Sequence, residues 1–181
     1  ITYINERNGK IAEDEEINIA KEAGRQESEL DWSDIEHIDT IGLEIGYGLI
    51  PLVSENESGV LLSRIKGIRK KLSTELGFLI QPIRIRDNLN LDPFSYNILL
   101  KGVVRAKGKI EINKDLAINP GDINEKLNGI TTVEPAFGLD AYWINNSESD
   151  HAKTLGYTIV DGSTVIATHI NALLKSNSYE L

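Results

Sequence analysis

The smallest constellation in this sequence that could do acid–base chemistry is a carboxylate pair such as Glu134 with Asp140. A pair of that kind works only when both acids converge in a closed pocket that raises one pKa, and nothing in this spacing compels it. The three histidines, His37, His151 and His169, stand too far apart in sequence to make a local ligand set. No H-x-x-x-H or accompanying carboxylate spacing strengthens them, so no metal is expected. With Cys 0 the chain has no thiolate ligand, no cysteine nucleophile and no disulfide. A phosphate-cradling G-x-x-x-x-G-K-[ST] loop and a G-x-S-x-G elbow are missing as well, and Gly42, Gly46 and Gly48 fall inside an apolar stretch rather than after it. No cofactor and no catalytic residue is expected.

Residues suited to recognition are easier to find. In Glu134-Pro135-Ala136-Phe137-Gly138-Leu139 an aromatic ring sits between a proline and a glycine, where a turn can hold it out of the core. Such a ring beside an acid suits the anchoring of a partner's apolar side chain; the plainer alternative is a Phe that packs its own small subdomain. Arg64, Lys66, Arg69, Lys70 and Lys71 share a short basic stretch that could grip RNA or an acidic protein surface. No aromatic residues interleave these cations for base stacking, which favours protein over RNA, and a solvated face is the ordinary alternative. Trp32 stands at the end of an acidic run. Leaving its large ring in water forgoes about 2 kcal/mol of burial, so it is expected to dock on its own domain or on a neighbouring subunit.

The elements that must position these residues follow from periodicity. Ile41 to Val53 alternates Leu43, Ile45, Tyr47 and Leu49 on one face before Pro51, which predicts a strand ending or bulging at the proline. A helix follows, capped by Ser58, carrying Leu61, Ile65, Ile68, Leu72 and Leu76 as its apolar stripe and ending at Gly77. Ile83 to Arg86 predicts a second strand. A third runs through Tyr96, Ile98 and Leu100 to Val104, with short alternation resuming at Ile110-Glu111-Ile112. Asn119-Pro120-Gly121-Asp122 reads as a turn. A brief helix is expected between Ser147 and Gly156 and a strand over Tyr157 to Val160. A last helix is capped by Ser163, with Ile166, His169, Ile170, Leu173 and Leu174 inward. The closing strand and helix match the opening ones in texture, so the middle reads as an insertion into one α/β domain.

Composition agrees. The 181 residues carry Lys+Arg 19, Asp+Glu 28 and a formal net charge of -9, with 40% of residues apolar. That suffices for one ordinary domain, or one domain with an insert, and is incompatible with wholesale disorder. Residues 1–36 hold 11 acids and 4 bases, leaving 17 against 15 for the remainder, so an acidic linker precedes a nearly neutral body. A net-acidic chain lacks the field that draws proteins onto phosphate backbones, and nucleic acid is not an expected partner. Apolar runs are far shorter than the ~20 residues of a membrane-spanning helix. A chain that starts at Ile1 with Met 0 and no basic-then-apolar leader is read as an internal piece of a longer protein.

Five stretches taken together resemble one family: GLEIGYGLIPLV (Gly42 to Val53), Arg64 to Lys71, RIRDNLNLDPFSYNILLKG (Arg84 to Gly102), EPAFGL (Glu134 to Leu139) and TVIATH (Thr164 to His169). It is the FlhA, or FHIPEP, family of flagellar and type III secretion export-gate proteins, and the resemblance spans residues 29 to 175 in uninterrupted order. It implies the cytoplasmic part of a bacterial inner-membrane protein whose N-terminal half crosses the membrane. The expected fold is α/β: an acidic linker over 1–38, a thioredoxin-like first subdomain over 39–112 and 162–181, and a small inserted α+β subdomain over 113–161. Flagellar export chaperone–substrate complexes, other export-apparatus proteins and copies of itself in a nine-membered ring are the implied partners. The resemblance places chaperone docking on Glu134, Phe137 and Thr168. The acid is Glu where the family has Asp, one methylene longer, which alters its hydrogen-bond reach. Subunit or linker contacts fall on Glu29, Trp32 and Asp34 and on Arg69, Lys70 and Lys71. An injectisome homologue with the same docking role, and from other classes a carboxylate-dependent enzyme or an RNA-binding α/β domain, stand as alternatives.

Overall fold

The computed structural model describes residues 39–54 and 59–181. Glu29, Trp32, Asp34 and the Ser58 cap lie outside the described residues. The elements run β1 (Ile41–Ile45), α1 (Ile50–Val53), α2 (Val60–Leu76), β2 (Ile83–Asp87), β3 (Ser95–Leu100), β4 (Val103–Lys109), β5 (Lys114–Ile118), β6 (Ile130–Val133), β7 (Asp140–Asn145), α3 (Ser149–Thr154), β8 (Thr158–Val160) and α4 (Gly162–Ser176). Among the described residues, no helix is long and apolar enough to cross a membrane.

Two four-stranded sheets form, in the orders β2-β1-β3-β4 and β6-β7-β5-β8. In the first, β1 and β2 are parallel and joined through α2, while β3 and β4 are antiparallel additions. The second is antiparallel throughout and occupies the chain between β4 and α4. Alternation places Ile41, Leu43 and Ile45 of β1 and Tyr96, Ile98 and Leu100 of β3 in the core. Leu61, Ile65 and Leu72 of α2 and Val165, Ile166, Ile170 and Leu174 of α4 belong to the same cluster. Leu116, Ala141 and Trp143 of the second sheet join it, so one apolar core runs beneath both sheets. A smaller cluster of Ala117, Ile144, Ala152 and Tyr157 lies on the other side of the second sheet.

The α/β reading holds, and four local expectations are corrected. The first strand stops at Ile45 instead of continuing to Val53. Gly46 lies so close to the backbone of Asp92 and Pro93 that an added Cβ would come within 2.2 Å of the Asp92 carbonyl. Its N–H donates to the Ser95 carbonyl at 2.8 Å, and the Gly48 N–H to that of Pro93 at 2.8 Å. These bonds turn the chain into a 3-10 turn and then α1, whose first turn takes Pro51. Leu49 is buried as alternation predicts, but through a helical turn.

The third strand likewise ends at Leu100. Lys101 and Gly102, at φ 50° and 77°, make a two-residue turn, and Val103–Lys109 returns as β4. No strand forms over Ile110-Glu111-Ile112; Ile110 is buried at the end of β4, and the chain turns through Asn113 at φ 58°. The last helix is capped by Asp161 and not by Ser163. Its carboxylate accepts the Thr164 N–H at 2.7 Å, and the Ser163 hydroxyl donates to it at 3.1 Å. Asp outranks a residue two positions later here because the N-cap must keep extended backbone (φ -81°, ψ 164°) while its oxygen reaches the third helical N–H. Burial pushes the Asp161 carboxyl up, but the Thr164 bonds and nearby Arg64 hold it below its ordinary value. At its other end α2 stops at Gly77 in the left-handed conformation, as its spacing predicts.

Candidate docking site

The loop Glu134–Leu139 joins β6 to β7, and the fold of the loop centres on one acid. Glu134 is only 2% exposed. Its N–H donates to the Leu139 carbonyl at 2.8 Å, and its own carbonyl accepts the Gly138 N–H at 2.9 Å. Its carboxylate reaches forward so that Oε1 accepts the Ala136 N–H and Oε2 the Phe137 N–H, both at 2.8 Å. Four N–H groups are thereby satisfied around a six-residue corner, with Gly138 at φ 72° completing the turn. The outcome is a stiff backbone under a bare ring: Phe137 stands 68% exposed. The two carboxylate oxygens of Glu134 thus take two successive amides. Glu134 therefore positions the loop instead of offering its charge to solvent. The carboxylate pair does not form a reacting centre, since both Glu134 oxygens are held by the loop while Asp140 is exposed at the start of β7.

Beneath this corner lies a buried polar contact that periodicity does not reveal. Tyr96 of β3 faces Gly108 of β4 across the strand register. A Cβ on Gly108 would come within 2.4 Å of the Tyr96 ring, so glycine makes the room that lets the ring lie flat over β4. The Tyr96 hydroxyl shares a 2.8 Å hydrogen bond with Nδ1 of His169 on α4, and the two rings meet edge to face at 5.8 Å. Burial pushes the Tyr96 hydroxyl well above its usual pKa, with the Glu134 charge adding to the shift. Burial lowers His169 below its ordinary value, partly offset by that same charge. Both groups stay neutral near pH 7, and His169 is a satisfied core histidine, as its place in the apolar stripe suggests.

Thr168 is seated elsewhere. It is half-buried on α4 and lines an open groove of about 310 Å³ against α2, with Arg64, Ile68, Lys71 and Asn171 among its walls. Glu134 and Phe137 are not part of that groove. The basic residues of α2 are also engaged unequally. Arg64 pairs with Asp161 at 3.2 Å, Arg69 donates from Nε to the Ile80 carbonyl at 2.6 Å, and Lys71 lies 3.9 Å from Glu75. Lys66 and Lys70 are exposed. A wider groove of about 580 Å³ runs beside them and ends on Phe78 and Leu79, 41% and 74% exposed. Sequence reading passed over that apolar pair; the signal was two large side chains directly after the Gly77 cap.

A third groove, of about 380 Å³, separates the two sheets' outer strands. Lys107 and Lys109 of β4 form one wall, Ile130 to Val133 of β6 the other, with Glu111, Pro135 and Trp143 completing it. It begins where the Phe137 loop begins, and it was also invisible in sequence, because nothing local indicates that β4 and β6 are neighbours. Among the described residues, no group of three His, Cys, Asp or Glu is gathered closely enough to hold a metal ion.

With the braced loop, its exposed ring and the open grooves located, known proteins similar to the chain in sequence or in fold bear on the family to which it belongs. The Escherichia coli (strain K12) flagellar biosynthesis protein FlhA is 46% identical over 153 residues, covering 84% of this chain and 22% of that protein. FlhA of Bacillus subtilis (strain 168) is 42% identical over 181 residues, covering 99% of the chain and 27% of the relative. The chain thus spans about a quarter of the length of these relatives. Among solved structures, CdsV of Chlamydia pneumoniae superposes with a TM-score of 0.68 at 23% identity, covering 81% of this chain and 45% of that one. The complex of CdsV with CdsO gives 0.66 at 22% identity, covering 81% and 47%. The nonameric SctV-C from EPEC gives 0.54 at 14% identity, covering 81% and 42%. At such identities the likeness shows the fold. The sequence model of the FHIPEP family matches residues 1–181 in full, and with relatives above 40% identity over most of its length, the chain belongs to the FHIPEP family.

Proposed function

We propose that this chain is a cytoplasmic part of the flagellar type III protein-export gate. It is a non-enzymatic platform that docks export chaperone–substrate complexes and contributes to an oligomeric ring. One observation carries the docking reading: Phe137, two-thirds exposed, on a loop whose backbone is fixed by the buried Glu134 carboxylate. A large exposed ring on a backbone already fixed costs less ordering of the loop on binding, which suits an anchor for a partner's apolar side chain. Glu134 serves by orienting the loop. Thr168 contributes from the α2–α4 groove as a separate polar contact, so the partner covers both the hairpin corner and the helix face.

The ring reading rests on different residues. Glu29, Trp32 and Asp34 reach a neighbouring copy, and Arg69, Lys70 and Lys71 take part in subunit contacts, the acidic strap and basic helix face being complementary in charge. The solved nonamer of a protein with this fold supports such an assembly. The CdsV–CdsO complex supports export-apparatus partners more generally. The subdivision into a first subdomain over 39–112 and 162–181 and an inserted one over 113–161 belongs to the same proposal, as does attachment to the bacterial inner membrane through the N-terminal half of the longer protein. Flagellar rather than injectisome service is favoured by the 42–46% identity to FlhA proteins against 23% to CdsV.

Titration calorimetry with a flagellar export chaperone bound to its cargo tests the docking reading. Phe137→Ala is expected to abolish binding while leaving the melting temperature within about 2 °C, as for other exposed substitutions. A large loss of stability would instead mark Phe137 as a structural residue, and a folded wild type that binds nothing would remove the reading for this chain. Trp32→Ala is expected to change self-association without changing chaperone affinity. Sedimentation identical with and without Trp32 would remove the strap.

A further inference from the structure

The groove between β4 and β6 has a property that its side chains do not show. Antiparallel strands alternate between residues that exchange backbone hydrogen bonds and residues whose N–H and C=O point away. The Ile110 N–H donates to the Phe94 carbonyl at 2.9 Å. Stepping back by two along the β3–β4 register makes Gly108 and Ala106 bonded positions, and Lys109 and Lys107 outward ones. The Glu134 N–H donates to the Leu139 carbonyl at 2.8 Å. The same count along β6–β7 makes Thr132 and Ile130 bonded, and Val133 and Thr131 outward.

Both β4 and β6 are outermost strands of their sheets, and the outward residues of both, Lys107, Lys109, Thr131 and Val133, line this one groove. Among the described residues, none of these four outward N–H groups has a hydrogen-bond partner. The two edges differ in one respect. Cations alternate along β4, which is how exposed edges are commonly kept from pairing. The β6 edge has no charge at all, and Ile130 and Val133 are 48% and 57% exposed. An uncharged, partly apolar free edge beside two lysines is shaped for an extended segment that is itself acidic and apolar.

We propose that β6 is a strand-addition site. An extended segment of the docked chaperone–substrate complex, alternating carboxylate and apolar side chains, pairs with the free edge of β6, and its acids face Lys107 and Lys109. This rests on the docking reading of the neighbouring Phe137 corner and specifies how the partner's backbone is recognised. The four residues of β6 span about 13 Å, and Thr131 and Val133 offer up to four backbone hydrogen bonds. Backbone pairing supplies affinity without demanding one sequence, and the lysines select for acidity. Glu111, at the end of the same groove, limits how far an acidic segment can extend along it.

Amide hydrogen exchange of the 181-residue chain, with and without a flagellar export chaperone bound to its cargo, reads the proposal directly. In the bound state the Thr131 and Val133 amides are expected to exchange at least tenfold more slowly. Two variants sharpen this. Thr131→Pro removes an outward donor and no inward bond, and is expected to weaken binding about tenfold, with Thr131→Val neutral. Lys107→Glu combined with Lys109→Glu is expected to weaken binding at least tenfold, most at low salt. Calorimetric binding with Thr131 and Val133 still exchanging at free-chain rates would overturn strand addition and leave the docking reading intact. Slow exchange of these amides before any partner is added would also overturn it, because the edge would already be covered. Absence of binding altogether would remove both.

Discussion

Two hairpins among the described residues turn by different physics. β3 and β4 are joined by Lys101 and Gly102, two residues with positive φ that reverse the chain with backbone geometry alone. β6 and β7 are joined by six residues closed over a buried carboxylate. The first corner needs nothing from the rest of the protein. The second draws its shape from a charge placed where it is almost wholly shielded from solvent, and the reward is an exposed Phe137 with a fixed backbone. A corner built on backbone preference can tolerate most side chains; one built on a single acceptor depends on it.

Five substitutions and one change of pH separate these cases. Glu134→Ala should be the most damaging, because two N–H groups lose a charged acceptor while the acid's buried site is left empty. A loss of about 3 kcal/mol in denaturant unfolding is expected from bonds of this kind. Glu134→Gln, which keeps one carbonyl acceptor, should lose about half as much. If Glu134→Ala were neutral, the loop would be held by its turn residues alone and the contrast would collapse.

Gly108→Ala tests the contact beneath the second corner. The new methyl would meet the Tyr96 ring, and overpacking of this kind costs about 2 kcal/mol. A thermal melt should show this loss, and an NMR titration of the same variant a changed His169 profile as its bond to Tyr96 loosens. A smaller change is expected from pH. His169 has a folded-state pKa held below the unfolded value of 6.5 by burial, so the unfolded chain binds a proton more readily. Its neutral state contributes stability fully above that value, and stability should fall as pH drops from about 6.5 through the lower folded pKa. Tyr96→Phe, which removes the imidazole's partner, should alter this pH profile; an unchanged profile would show that burial alone sets the titration. The gentlest case is Lys101→Asn. A lysine in left-handed backbone is strained and Asn-Gly is the preferred pair for such a turn, so a gain of about 0.5 kcal/mol is expected.

The corrected elements show what periodicity can and cannot carry. It found α2 and its Gly77 stop, the apolar stripe of α4, and the faces of β1 and β3, because those depend on residues three or four apart, or two apart, within one element. It continued β1 through Gly46 because nothing nearby in sequence announces that the Asp92 and Pro93 carbonyls will press against that glycine. It ran β3 past Lys101 because a lysine does not advertise positive φ. It placed the cap at Ser163 since Ser and Asp are both good caps, and only the backbone angles of Asp161 decide between them. Of the docking residues, the turn that lifts Phe137 was legible from its proline and glycine. The burial of Glu134 was not, since an acid in a polar loop ordinarily faces water.

By itself, then, the sequence determined the element types, the apolar faces and the charge imbalance, all of which are set by neighbours along the chain. The family resemblance was likewise carried by motifs that stand in the sequence whether or not the chain is folded. Tertiary structure alone decided that Tyr96 would meet His169, 73 positions further along the chain, that Thr168 would open onto α2 instead of the hairpin, and that β4 and β6 would present free edges to one groove. Each of those is a contact between residues remote in sequence, and its existence depends on how two sheets share a core, which no local preference encodes.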